Sequence, residues 1–164
     1  RARAALAGGL PLVQLREKDW PEARQRSLAE ALVALARPLG AKVLLNGETR
    51  NARAWGCDGV HWTSAALAHA IERPADMLCA ASCHTRAEVD RAGRLQLDFA
   101  VLGPVLPTPS HPGAATLGWE GFATLAAEVA RSLWPVVVVT LFTWRRSPLI
   151  VTASSSASRG LSGA

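Results

Sequence analysis

Several features are scarce in this 164-residue sequence, and each scarcity excludes a class of protein. No apolar run reaches the ~18 residues needed to cross a bilayer, so we expect no membrane span. The arginines at Arg1 and Arg3 are not followed by a long hydrophobic segment, so the N-terminus does not resemble a signal peptide. The three cysteines are an odd number without metal-ligand spacing. With no signal peptide, they predict a reduced, cytoplasmic location.

Clustered basic charge is also lacking, although the net charge is +5 and the pI about 10.1. All but two of the 18 basic residues are arginine, and they are scattered without interleaved aromatics, so we expect no nucleic-acid partner. The last acidic residue is Glu128. We predict a folded domain over 1–140 and an atypical tail over 141–164, for which disorder is one interpretation. A reading-frame shift near Val137 is our hypothesis for the tail's origin.

Short apolar runs alternate with helical patterns, and polar residues collect just after the runs. The predicted strands are 10–15, 42–45, 59–62, 77–81, 99–102 and 135–140. The predicted helices are 21–39, 50–56, 63–71, one beginning at Thr85, and 119–133, with Asp19, Thr63 or Ser64, and Thr85 as caps. This alternation predicts a parallel α/β fold with ligands at the carboxyl ends of the strands.

Two parallel architectures are open at this point. A Rossmann-type sheet is the alternative, but no Gly-x-Gly-x-x-Gly follows the first predicted strand. Repeating units of roughly 20–25 residues favour a (β/α) barrel, and about six strands are fewer than its eight.

The first predicted strand ends in three polar residues, Gln14, Arg16 and Lys18, spaced by two. Strand alternation would place all three on one face, where an amide and two cations suit a phosphate or pyrophosphate. A solvated strand exit paired with Glu17 and Asp19 is the alternative, and it is favoured for this motif taken alone.

Polar residues also follow the next strands. Asn46 suits a ring or phosphate, although Asn-Gly is an ordinary turn pair. His61 lies near the end of its strand, and a structural hydrogen bond is its more common role. Ser82 suits an anion. Cys83 and His84 are unsuited to nucleophilic catalysis as a pair, because neighbours on a strand point to opposite faces.

The longest irregular segment is the proline-rich loop 103–113. Long loops after such strands usually cover the substrate, and Thr108, Ser110 and His111 supply hydroxyls and an imidazole. A proline-stiffened surface loop is the alternative interpretation.

Taken together and in this order, these motifs resemble the thiamine phosphate synthase/TenI family over about residues 10–137. The motifs are Val13-Gln14-Leu15-Arg16-Glu17-Lys18, Leu44-Leu45-Asn46, Asp58-Gly59-Val60-His61, Ser82-Cys83-His84 with Glu88, Leu102-Gly103-Pro104-Val105-Leu106-Pro107-Thr108, and Leu117-Gly118. The loop 103–113 is most similar to the synthase-like domain fused behind MutT-type Nudix hydrolases. The resemblance therefore implies an N-terminal Nudix domain as a partner.

The resemblance implies a (β/α)8 TIM-barrel type of α/β fold, incomplete here, with the first strand missing and the C-terminal strands aberrant. Synthases of this family join hydroxymethylpyrimidine diphosphate to a thiazole phosphate and release pyrophosphate. By resemblance, the pyrimidine diphosphate would be held by Gln14, Arg16, Lys18 and Asn46. Ser82 would meet the leaving pyrophosphate. Thr108 and Ser110 would lie in the thiazole phosphate loop, with His111 where a lysine is usual.

The sequence departs from the family pattern at its metal ligands. Gly47 and Ala66 stand where carboxylates are usual, so no metal ligand is assigned, and Mg²⁺ is expected only if synthase activity is retained. Catalytic residues stay unassigned. The alternatives are a non-catalytic domain that binds thiamine phosphates for a Nudix hydrolase, or a TenI-like thiazole tautomerase. The tautomerase histidine position holds Pro104 here. A homodimer is left open.

Overall fold

The computed structural model describes residues 2–107, 116–131 and 149–151. Strands and helices alternate through most of this length. In chain order the elements are α1 (Ala2–Ala7), β1 (Leu12–Leu15), α2 (Glu22–Ala36) with a 3-10 turn (Arg37–Leu39), β2 (Lys42–Asn46), α3 (Thr49–Ala54), β3 (Gly59–Trp62), α4 (Ser64–His69), β4 (Leu78–Cys83), α5 (Arg86–Arg94), β5 (Phe99–Leu102), α6 (Gly118–Arg131) and β6 (Leu149–Val151).

The described strands form one sheet in the order β5-β4-β3-β2-β1-β6. Strands β1 to β5 are parallel, and each pairs with the next strand in the chain. This sequential order is that of a singly wound sheet, whereas a doubly wound sheet reverses its strand order at a switch point. The Rossmann-type alternative is therefore wrong for the described residues. Strand β6 pairs with β1 in the antiparallel direction.

The sheet has two apolar faces, as the short continuous apolar runs predict. The outer face packs against the helices in one core, to which α2 contributes Leu32 and α4 contributes Leu67. The inner face carries a second, smaller cluster, formed by Leu44, Ala80, Phe99 and Val101, with Leu12 and Leu78 against it. Residues at every position of β3 and β5 are buried. Fully burying a large apolar side chain of these strands, such as Val60 or Leu102, stabilises the fold by about 1.5–3 kcal/mol.

Two of the predicted helix caps are confirmed. The Thr63 hydroxyl accepts a hydrogen bond from the Ala66 N–H. Thr85 and Glu88 form a complete capping box at the start of α5. The predicted cap at Asp19 is wrong, because α2 begins after Pro21, whose carbonyl accepts from the Arg24 and Gln25 N–H groups.

Other boundaries shift slightly. Strand β4 extends to Cys83, so Ser82 lies inside the strand and not after it. The start of the long loop is held to the segment just before α6, because the carbonyls of Pro104 and Val105 accept from the N–H groups of Leu117 and Gly118. The predicted strand 135–140 lies outside the described residues. Within the predicted tail 141–164, residues 149–151 form β6, and the domain boundary at 140 stays a prediction.

Candidate functional site

Four uncharged polar residues lie on the inner face of the sheet toward the carboxyl ends of β1 to β4. They are Gln14, Asn46, His61 and Ser82. Asn46 is the register partner of His61, and Ser82 lies two residues beyond Ala80, the partner of His61 on β4. Because alternate residues of a strand share a face, the parallel register brings these side chains together.

His61 is the most buried of the four, at 2% exposure, with Gln14 at 3%. The Nε2 atom of His61 lies 2.9 Å from the Ser82 Oγ, within hydrogen-bond distance. Burial, and secondarily the positive charge of Arg16, lower the pKa of His61 to about 4. The imidazole is therefore neutral near pH 7. The sequence pattern predicts a structural hydrogen bond for His61 and does not distinguish this histidine as a residue of the site.

Two buried polar atoms of this face have no hydrogen-bond partner among the described residues: the Asn46 Oδ1 and the His61 Nδ1. The Asn46 amide donates from Nδ2 to the His61 carbonyl oxygen over 3.4 Å. Buried polar groups are almost always paired, so such an atom calls for a functional or solvent explanation. These two atoms, on neighbouring strands, are suited to bind a polar ligand.

The two cations predicted with Gln14 follow strand β1. Strand β1 ends at Leu15, and residues 18 and 19 form a turn, so strand alternation does not extend to Lys18. Partial burial, and next the charge of Arg16, lower the pKa of Lys18, against the opposing effect of Asp19. The positive charge of Arg16 thus acts on both Lys18 and His61, which indicates that the cations after β1 lie close enough to influence the inner face.

The neighbours of Ser82 do not form a nucleophilic pair, as strand alternation predicts. Cys83 is fully buried in the outer core, and burial raises the pKa of its thiol to about 12. The backbone N–H of His84 donates to the Glu88 carboxylate, and the imidazole Nδ1 of His84 contacts the Gly103 carbonyl oxygen. Since a thiolate is the reactive form, Cys83 is unsuited to attack a substrate.

The predicted loop residues Thr108, Ser110 and His111 lie outside the described residues. Their assignment to a thiazole phosphate loop stays a prediction.

The residues of this site do not fit a magnesium ion. Magnesium prefers carboxylate oxygens, whereas the inner face offers amides, an imidazole and a hydroxyl beside two cations. Of the carboxylates that follow these strands, Glu48 pairs with Arg50 and Glu88 caps α5. Glu17 and Asp19 flank Lys18, and the charge of Asp19 acts on that cation. In residues 2–107, 116–131 and 149–151, no three His, Cys, Asp or Glu side chains are grouped to hold a metal.

Two half-buried carboxylates lie at the opposite end of the sheet. Asp58 precedes β3 and accepts from the Val43 N–H and from Lys42, each at 2.9 Å. Asp98 precedes β5 and accepts from the Cys79 N–H at 2.7 Å and from Arg73 at 3.1 Å. These carboxylates connect neighbouring strands.

No helix in the described part of the chain is long and apolar enough to cross a membrane.

A singly wound parallel sheet with amide, hydroxyl and cationic side chains at its carboxyl edge is typical of α/β proteins that bind phosphorylated ligands there. A family model described as thiamine monophosphate synthase matches residues 1–154, and the chain belongs to this family.

Individual relatives agree with this family. The chain is 33% identical over 135 residues to a thiamine-phosphate synthase of Thermus thermophilus, covering 82% of this chain and 66% of the relative. It is 32% identical over 166 residues to a thiamine-phosphate synthase of Mycobacterium bovis, covering 94% and 74%. A relative from Geobacter sulfurreducens is 41% identical over 109 residues, which is 65% of this chain and 51% of that protein. The chain thus spans about half to three quarters of these relatives.

The fold is also similar to a solved structure. Thiamine phosphate pyrophosphorylase from Pyrococcus furiosus superposes with a TM-score of 0.67 at 26% identity. The match covers 85% of this chain and 66% of that one.

Proposed function

We propose that the chain is a thiamine phosphate synthase-like domain that binds hydroxymethylpyrimidine diphosphate at the carboxyl ends of β1 to β4. The observation that carries this proposal is the inner-face group of Gln14, Asn46, His61 and Ser82. Two buried atoms of this group have no hydrogen-bond partner within the described part of the chain. The family match and the similarity to synthases from three bacteria support it.

Each side chain has a role that its chemistry allows. The amides of Gln14 and Asn46 bind the pyrimidine and its diphosphate, and the Ser82 hydroxyl donates to the leaving pyrophosphate. Arg16 and Lys18 stabilise the negative charge that develops as the bond to pyrophosphate breaks in a loose transition state. Thr108, Ser110 and His111 bind the thiazole phosphate.

We further propose that binding exceeds turnover in this chain. Arg16 and Lys18 are present, but in the described residues no three His, Cys, Asp or Glu side chains are grouped to hold a metal such as magnesium. Coupling to the thiazole phosphate is therefore slow, and the chain binds the diphosphate without added metal.

Calorimetry with the pyrimidine diphosphate, with and without Mg²⁺, tests the site. Binding that does not require Mg²⁺ is expected, and absence of binding under both conditions contradicts the site. An assay for thiamine phosphate in the same samples tests turnover. Fast, magnesium-dependent product formation contradicts the proposed impairment and leaves the site intact.

A second candidate is a non-catalytic domain that binds thiamine phosphates for an attached Nudix hydrolase. The absence, among the described residues, of three grouped His, Cys, Asp or Glu side chains that could hold a metal favours this non-catalytic candidate. Binding of thiamine phosphates with no detectable product, from the chain in its full-length protein, distinguishes this candidate from a slow synthase.

The proposal also covers the architecture of the domain, its partners and its location in the cell. The five sequential parallel strands are consistent with an arc of a (β/α)8 barrel, which we propose is incomplete in this chain. An N-terminal Nudix partner, a homodimer and a cytoplasmic location stay proposals from the resemblance. Size-exclusion chromatography with light scattering tests the dimer.

A further inference from the structure

The contact between His61 and Ser82 can have either hydrogen-bond direction, and the direction decides what Ser82 offers a ligand. A neutral imidazole carries one N–H, on Nε2 or on Nδ1. If Nε2 is bare, Ser82 must donate its hydrogen to His61 and can only accept from a ligand. If Nε2 carries the hydrogen, Ser82 accepts from His61 and keeps its own hydrogen for a ligand.

The other ring nitrogen indicates which form is present. The Nδ1 of His61 is buried without a partner in the described part of the chain. Among backbone groups an orphaned buried N–H is rarer than an under-satisfied carbonyl, and the same asymmetry between donor and acceptor favours a bare Nδ1.

The neighbouring amide supports the same form. Asn46 is the register partner of His61, and its Oδ1 is also buried, with no hydrogen-bond partner among the residues that the structure describes. The two atoms make no hydrogen bond with each other, so a hydrogen on Nδ1 would be left unpaired among the described residues. Two bare acceptors are consistent with that arrangement.

We propose that His61 carries its hydrogen on Nε2 and is a positioning residue, which donates to Ser82 and leaves the Ser82 hydroxyl as a donor to the ligand's anionic oxygen. The second half of this inference rests on the proposed function, because it requires a diphosphate at Ser82. The first half, the position of the hydrogen, concerns the chain alone.

Nitrogen-15 NMR of the full chain with labelled histidine tests the position of the hydrogen. We expect a pyrrole-type Nε2 and a pyridine-type Nδ1 for His61, assigned by loss of its signals in His61→Gln. The exposed His69 serves as an internal control for averaged tautomers. A pyrrole-type Nδ1 in His61 overturns the inference, whatever the ligand proves to be.

A mutant cycle with inorganic pyrophosphate tests the coupling. We expect Ser82→Ala to weaken binding about ten- to a hundred-fold, as for a hydrogen bond to a charged group. His61→Leu should weaken binding equally, and the double variant should be no weaker than Ser82→Ala. His61→Gln should restore affinity to within about threefold, because the Gln side-chain amide is also a donor.

Urea unfolding of each variant separates this role from a structural one. Equal loss of affinity in His61→Gln and His61→Leu, or additive losses in the double variant, overturns the inference. If His61→Leu does not fold, the Gln variant and the NMR spectrum still decide it. If the wild-type chain binds no pyrophosphate, the proposed function fails, and the NMR result still decides the position of the hydrogen.

Discussion

The two ends of the parallel sheet both carry polar side chains, but those side chains have different partners. At the amino ends, Asp58 and Asp98 each bind a backbone N–H of the neighbouring strand and a basic side chain. At the carboxyl ends, His61 and Asn46 each have a buried atom that no residue in the described ranges pairs with. Polar groups satisfied within the chain stabilise the fold, whereas unsatisfied ones retain the capacity to bind a ligand.

The same division is typical of parallel α/β barrels, where the carboxyl face is functional and the opposite face contributes stability. In this chain it can be tested with matched substitutions, because each end offers residues of the same type. Changes at the amino end should alter the free energy of unfolding. Those at the carboxyl end should alter ligand affinity.

The largest effect is expected at Gly59, where the inner face is tightest. A Cβ there would overlap the Leu44 side chain and the Leu78 carbonyl oxygen. Gly59→Val should lower the free energy of unfolding by about 3 kcal/mol or prevent folding, as overpacking does in cores. Urea titration followed by circular dichroism measures this. Gly47→Ala is the control, since its Cβ would lie 3.5 Å from the Leu45 side chain, an ordinary contact. Equal stability of both variants would contradict the packing.

The next effect is a pH dependence caused by His61. Its pKa is lowered from 6.5 to about 4 in the fold, so the unfolded chain binds more protons between these pH values. Stability should therefore fall as pH drops from 6.5 toward 4, by at most about 3 kcal/mol. Urea titrations across this range measure the loss.

His61→Gln should flatten this part of the profile, and an unchanged profile would contradict a neutral buried His61. Asp76 does not interfere. A hydrogen bond from Arg53 lowers the pKa of Asp76 from 3.8 to about 2. The stability that this carboxylate contributes is therefore lost only below about pH 4, as it becomes protonated.

At the amino end, Asp98→Ala should destabilise the fold by about 2 kcal/mol, because it leaves the Cys79 N–H without its carboxylate partner. Urea titration gives the loss, and calorimetry should give unchanged pyrophosphate affinity for the folded protein. The exposed, salt-bridged Asp90 offers a control, and Asp90→Ala should cost under about 1 kcal/mol. Weakened binding in Asp98→Ala would break the distinction between the two ends.

The smallest change in stability, and the cleanest contrast in binding, is expected at the two lysines. Lys18 follows the carboxyl end of β1, and Lys42 begins β2 and pairs with Asp58 over 2.9 Å. Lys18→Gln should weaken pyrophosphate binding about tenfold, as for one lost charged contact. Lys42→Gln removes the same charge at the other end.

Calorimetry on both variants at one salt concentration makes the comparison. Lys42→Gln should leave pyrophosphate affinity unchanged. Equal weakening by the two substitutions would indicate a response to net charge and contradict a local site.

Much of the fold was predictable because its signals are local. The strand at 59–62, the capping box at Thr85 and the helix start after Thr63 depend on residues within one turn or one strand, and all are confirmed. The cap predicted at Asp19 is wrong because Pro21 occupies the N-cap position of α2, where its carbonyl, and no side chain, accepts from the first turn.

The site was predictable only in part. Gln14, Asn46 and Ser82 could be placed near strand ends from polarity and position. The alternation that grouped Lys18 with Gln14 does not extend beyond Leu15, because the chain turns there. His61 could not be distinguished from a structural histidine, since its contact with Ser82 depends on the register between β3 and β4.

The sequence by itself determined that strands and helices alternate, that the strands are apolar on both faces, and that Thr63 and Thr85 cap their helices. Each of these depends on hydrogen bonds and periodicity within a short segment. Only the tertiary structure decided that the strands pair in sequential order and that His61 meets Ser82. It also decided that the carboxylates of Asp58 and Asp98 lie at the end away from Arg16 and Lys18. These outcomes depend on strand register and direction, which bring together residues far apart in the sequence, such as His61 and Ser82, 21 positions apart.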